Sequence, residues 1–199
     1  MTKRIEHIDS IRAIAVLLMV MVHAAATWGP PSTTQPSALV YVVSGLGGLA
    51  APLFVTVFGW GCVQGNSTHR QRMVRAAFFI AAQGAINASS PHLFELWTPG
   101  VLTLFALLTL TQPLWLKALQ SEQIPVFHLT ALAFFSVIFL ASEFQGQSAW
   151  TSRIETASVQ QWFEHDLLTG TYPLFPWLIY AMFGAWIAFS DGMPGMFPA

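Results

Sequence analysis

HIDSIRAIAVLLMVMVHAAATW, residues 7–28, decides the fold. A membrane helix takes about 20 mostly apolar residues, and this stretch is long enough. Lys3 and Arg4 ahead of it, and the small residues Ala24 to Ala26 near its end, also give it the outline of a secretory signal. Arg12 lies inside the run, however, and further apolar stretches follow it, so the segment reads as a retained first membrane helix.

The rest of the chain extends that reading. Of 199 residues, 54% are hydrophobic and 9% charged, against about 25% charged in soluble domains. Six stretches have the length and apolarity of spans, roughly 10–28, 38–64, 73–90, 99–119, 125–142 and 172–190. The expected architecture is therefore all-α: a polytopic membrane helix bundle of about six transmembrane helices, forming one domain over 1–199, in a cell membrane. Pro30, Pro31 and Pro36 end the first helix in a short loop. The longest polar connector, 143–170, carries a weak apolar stripe at Ile154, Trp162, Phe163 and Leu167, which predicts a segment lying at the bilayer surface.

Basic residues gather on the cytoplasmic side of membrane proteins. Lys3, Arg4 and Arg12, then Arg70, Arg72 and Arg75, then Lys117 fall on one side of a six-span chain, with Arg153 opposed. Both termini are thus predicted to be cytoplasmic. The formal net charge of −1 offers no clustered basic surface for nucleic acid. The one cysteine, Cys62, rules out an internal disulfide and lies in an apolar run, where a free thiol packs as a small hydrophobe.

The first helix also carries titratable groups. Arg12 and His23 are eleven residues apart, which brings them to nearly the same face about 16 Å apart along the axis; Asp9 sits one turn before Arg12. An ionisable residue within a bilayer normally faces protein or a water-filled cavity. His23 is either a neutral ring bonded to a neighbour or part of a site. Arg12 is either an anchor at the membrane edge or a bidentate partner for Asp9 or a phosphate. Asp9, followed by Ser10, is also an N-cap signal. Gln83 and Asn87, four apart on the third helix, either bond between helices or line a path. The glycine run before Pro52 serves close packing or a helix break. Glu164, His165 and Asp166 are adjacent and do not converge at ligand spacing, so no metal is expected.

RIEHIDSIRAIAVLLMVMVHA resembles the first helix of the integral-membrane acyltransferases of the acyltransferase-3 type, with Arg4, Asp9, Arg12 and His23 at the matching positions. GLGGLAAPLFVTVFGWGC (45–62) and TYPLFPWLIYAMFGA (171–185) are similar to two later elements of the branch related to heparan-α-glucosaminide N-acetyltransferase. Relatives in that branch usually have more spans, so the chain reads as a minimal version, a truncation or an incomplete reading frame. The human lysosomal enzyme is not matched residue for residue in helix one, and its acetyl-accepting His is not carried over to His23.

The resemblance implies an enzyme that moves an acetyl or other acyl group from cytoplasmic acyl-CoA to a sugar hydroxyl or amine on or across the membrane. Its donor is acetyl-CoA, with no metal, and its partners are the lipid bilayer, the acyl-CoA and a carbohydrate or amine acceptor. His23 would act as base or acylated nucleophile, assisted by Arg12 and Asp9. Arg12, Arg70, Arg72 and Arg75 would hold the CoA phosphates, and Glu95, Trp97, Tyr172 and Trp177 the acceptor. The alternatives are a small-molecule or proton-coupled transporter, with His23 on its path, and a non-catalytic membrane subunit. Acceptor identity and oligomeric state are not encoded legibly.

Overall fold

The computed structural model describes residues 6–28, 38–120 and 154–190. Every regular element among them is helical: α1 (Glu6–Trp28), α2 (Ala38–Gly48), α3 (Ala50–Gln64), α4 (His69–Ser89), α5 (Val101–Gln120), α6 (Val159–Glu164), a π-helical turn (His165–Thr169) and α7 (Leu174–Ser190). The expected all-α membrane bundle is found. Gly45–Gln64 and Val101–Gln120 are long and apolar enough to cross a membrane, and Val159–Thr169 with Leu174–Ser190, bent by 46°, makes a third such span if counted as one. The expected fifth helix, 125–142, the proline-rich loop, Lys3, Arg4 and Arg153 lie outside the described residues.

The second expected helix, 38–64, is divided. The break falls at Leu49, immediately after the glycine run and before Pro52, where the sequence offers least resistance to leaving the helix. Asp9 is not an N-cap: α1 begins at Glu6, and the Asp9 carboxylate instead meets Arg12 at 3.3 Å. A capping box starts α4, with Thr68 Oγ1 accepting from the Gln71 N–H at 3.3 Å and Gln71 Oε1 accepting from the Thr68 N–H at 2.9 Å. Within α5, Pro113 is accommodated without ending the helix. Phe175 in α7 has extended backbone (φ −97°, ψ 110°), as expected of a residue preceding proline.

The core lies where α3, α5 and α7 meet, with Val55, Leu104, Leu108, Trp115, Met182 and Ala185 buried. Packing is closest between α3 and α7, where Gly59 faces the Ala181 backbone and Gly184 faces that of Thr56. Small residues permit such approach inside a membrane bundle. The small residues singled out in the sequence lie elsewhere; of them, Gly47 packs against Val22 of α1.

α4 is fastened to α5 by a polar knot. Gln83 Nε2 donates to Asn87 Oδ1 at 2.9 Å, Gln83 Oε1 accepts from the Leu102 N–H at 3.2 Å, and Asn87 Nδ2 donates to the carbonyls of Leu96 and Thr98 at 3.0 and 2.8 Å. Of the two roles open to this pair, hydrogen bonding between elements is the one realised. The antiparallel course of the helices puts Arg12, Arg70, Arg72, Arg75 and Lys117 at one end of the bundle. His23, the 91–100 loop and the start of α7 lie at the other.

Candidate functional site

The basic end holds the largest cavity described here, about 650 Å³. Small-molecule sites typically occupy about 300–1,000 Å³. Its walls come from α1, α3, α4 and α5, and its chemistry is graded. Arg12, Arg75, Ser67 and Gln112 stand at one end, while Phe54, Val57, Phe58, Phe79, Leu102 and Phe105 line the remainder. On α5 the cavity runs from Gln112 to Leu102, ten residues or about 15 Å of helix. Phe58 and Phe79 both pack on Phe105, with ring centroids 5.0 and 5.9 Å away. The Thr109 hydroxyl donates to the Phe105 carbonyl at 2.7 Å, so the inner cavity is almost wholly hydrocarbon.

Arg12 and Arg75, 63 positions apart in the sequence, thus serve one space. Arg12 reaches it over Gly61, where a Cβ would stand 4.0 Å from the guanidinium. Arg72 lines a neighbouring cavity of about 390 Å³, and Arg70 a third site of about 430 Å³ that also involves Arg75. The basic loop is therefore divided among three openings. Cys62 is half-buried and lines both the cavity of about 650 Å³ and that of about 390 Å³, a placement its apolar surroundings in the sequence did not foretell.

His23 lies outside the walls of the Arg12 cavity. It is exposed on α1, and its Nδ1 stands 2.8 Å from the Met19 carbonyl. A carbonyl only accepts, so Nδ1 carries a proton in this contact. Val16 is the last α1 residue on the cavity wall; His23, seven residues on, lies about 10 Å further along the same stripe.

At the far end, Glu95 Oε2 accepts from the Thr156 N–H at 2.8 Å, and Trp97 is 68% exposed. Tyr172 and Trp177 pack with tilted rings, centroids 5.1 Å apart, and Trp177 continues to Tyr180 at 5.5 Å, also tilted. The loop bearing Glu95 and Trp97 is joined to α7's approach by Thr171 Oγ1, which donates to the Pro99 carbonyl at 3.1 Å.

Two residues set aside in the sequence acquire weight. His165 and Asp166 are buried in the π-helical turn, while Glu164 is exposed. His165 is satisfied by Thr169 Oγ1 at 2.9 Å and the Glu155 carbonyl at 3.0 Å. Neither carboxylate oxygen of Asp166 has a hydrogen-bond partner among the described residues; the adjacent Thr103 hydroxyl directs its proton to the Gly100 carbonyl. Among the described residues, no three His, Cys, Asp or Glu side chains are placed to share a metal ion.

A family model described as "Heparan-alpha-glucosaminide N-acetyltransferase, catalytic" matches residues 4–190. No curated protein and no solved structure matches the chain.

Proposed function

Because the chain belongs to the heparan-α-glucosaminide N-acetyltransferase catalytic family, we propose that it transfers an acyl group, acetyl first of all, from acyl-CoA to a sugar hydroxyl or amine on or across the membrane. The observation that supports this reading is the convergence of Arg12 and Arg75 on the mouth of one cavity with an apolar interior. CoA has matching parts: an anionic end for the guanidinium groups and a slender arm carrying the thioester. In this reading the basic end faces the cytoplasm, both termini with it, and the first helix is of the acyltransferase-3 type.

Arg12, oriented by Asp9, and the arginines of the 69–75 segment hold the phosphates. Glu95, Trp97, Tyr172 and Trp177 form the acceptor end, where aromatic faces suit sugar rings. His23, at the acceptor end of the bundle in this reading, is the base: its Nε2 removes the proton from the acceptor's O–H or N–H. The acceptor heteroatom then bonds to the acyl carbon as the C–S bond breaks, and the proton passes to the departing thiolate to give free CoA.

The test is thiol release by the full chain in lipid nanodiscs, given acetyl-CoA and a panel of sugars and amino sugars. Acceptor-dependent release is expected, and His23→Ala should reduce it at least about a hundredfold, the usual scale for losing a general base. Unchanged release in that variant removes His23 from the mechanism. Absence of both CoA binding and release removes the enzyme reading and leaves transport or a non-catalytic role.

A further inference from the structure

The cavities of about 650 and 390 Å³ at the basic end touch each other and differ in character. They share Cys62, Gly65, Ser67 and Gln112 as a common wall. That wall is a hydrogen-bonded bridge: Ser67 Oγ donates to Gln112 Oε1 at 3.2 Å, and Gln112 Nε2 donates to the Cys62 carbonyl at 3.0 Å. On one side lies the apolar chamber with Arg12 and Arg75. On the other, the chamber of about 390 Å³ pairs polar groups (Asn66, Thr68, Arg72, Gln120) with an apolar face from Leu116 and Phe189.

We propose that this second chamber receives the nucleotide end of the donor and that Arg72 reads the ribose 3′-phosphate, the group that separates CoA from dephospho-CoA. The inference rests on the acyl-CoA reading above. It assigns the arginines distinct tasks: Arg12 and Arg75 hold the pyrophosphate at the mouth of the apolar chamber, and Arg72 determines which nucleotide carrier is accepted.

Three observations carry it. First, Arg72 is half-buried, whereas Arg70 and Arg75 are exposed, and its Nη1 is fixed on the Ser67 carbonyl at 2.8 Å. A guanidinium has five N–H donors in a rigid fork, so this single bond orients the group and leaves enough donors for a bidentate phosphate contact. Second, a chamber that mixes polar groups with apolar ones, Leu116 and Phe189 among them, suits a nucleoside phosphate, whose base stacks on an aromatic while its sugar and phosphate seek donors. Third, the wall is shared, so one elongated ligand can straddle the Ser67–Gln112 bridge with its nucleotide on one side and its arm on the other.

The experiment compares the affinities of CoA and 3′-dephospho-CoA for the full chain in nanodiscs, in wild type and in Arg72→Ala, Arg72→Lys and Arg75→Ala. Wild type should prefer CoA by about tenfold or more, the scale of a charge-assisted contact. Arg72→Ala should abolish the preference while binding dephospho-CoA as wild type does, and Arg72→Lys should keep part of it. Arg75→Ala should weaken both ligands by a similar factor and keep the preference. Equal binding of the two ligands by wild type, a comparison independent of any variant, overturns the inference while leaving the donor reading intact. So does an Arg72→Ala protein that loses both ligands equally. Binding of neither ligand by wild type overturns the donor reading, and this inference with it.

Discussion

Gly59 of α3 lies against Ala181 of α7 so closely that a Cβ at Gly59 would overlap the Ala181 carbonyl oxygen. The obstruction is backbone, which cannot rotate away as a side chain can. Gly59→Ala should therefore destabilise the fold by about 3 kcal/mol, the upper part of the usual overpacking range. Gly84→Ala is the control. Nothing stands within 4 Å of its Cβ position, and alanine's better helix propensity predicts a gain of up to about 1 kcal/mol. Thermal melting in one detergent ranks the pair; equal melting temperatures would refute the close crossing.

Asn87 ties α4 to the 90–100 loop and is 1% exposed. Asn87→Ala leaves the Leu96 and Thr98 carbonyls and the Gln83 amide without their partner. With about 1–3 kcal/mol lost for each buried group left unsatisfied, the loss should exceed that of Gly59→Ala, and Asn87→Asp should not repair it, because a carboxylate brings no N–H. Denaturation midpoints of the two variants check this.

Arg12 and Asp9 form an exposed pair at 3.3 Å, and such pairs contribute about 0.2–1 kcal/mol to stability. Asp9→Asn should leave the melting temperature nearly unchanged while altering donor affinity through the Arg12 geometry. Arg12→Ala should raise the KM for acetyl-CoA about tenfold or more with a smaller effect on kcat. A lower kcat at constant KM would instead place Arg12 at the reacting atoms.

Among the described residues, the buried Asp166 carboxylate oxygens have no hydrogen-bond partner. A buried charge in that state is costly, so Asp166→Asn, which removes the charge and keeps the shape, should melt no lower than wild type and up to about 2 kcal/mol higher. A variant that melts lower would mean that the carboxylate is held by a contact specific to the charge.

The helical membrane architecture was legible in composition and in the spacing of apolar runs, because a bilayer constrains length and polarity residue by residue. The division of residues 38–64 was only half legible: the glycine run before Pro52 marks where a break could fall, but close packing explains it equally, and the stretch reads as one span. The Gly59–Ala181 crossing was not: nothing in GWGC distinguishes a glycine that meets another backbone from one that faces lipid. Arg12 and Arg75 could be placed at the same end of the bundle, but their sharing of a cavity, and the separation of Arg72 from it, depend on how four helices lean together. Asp166 reads in sequence with Glu164 and His165 as a cluster that fails as a metal site, but its burial was not legible, because that comes from the π-helical turn, whose backbone leaves no clear signature in the sequence.

Pro113 carries a last consequence. Having no N–H, it cannot close the helical bond to the carbonyl four residues earlier, which belongs to Thr109. Thr109 lines the apolar chamber and Pro113 the neighbouring one. The missing bond is a property of the main chain, so no substitution confined to the Thr109 side chain would restore it, whereas Pro113→Ala would return the N–H.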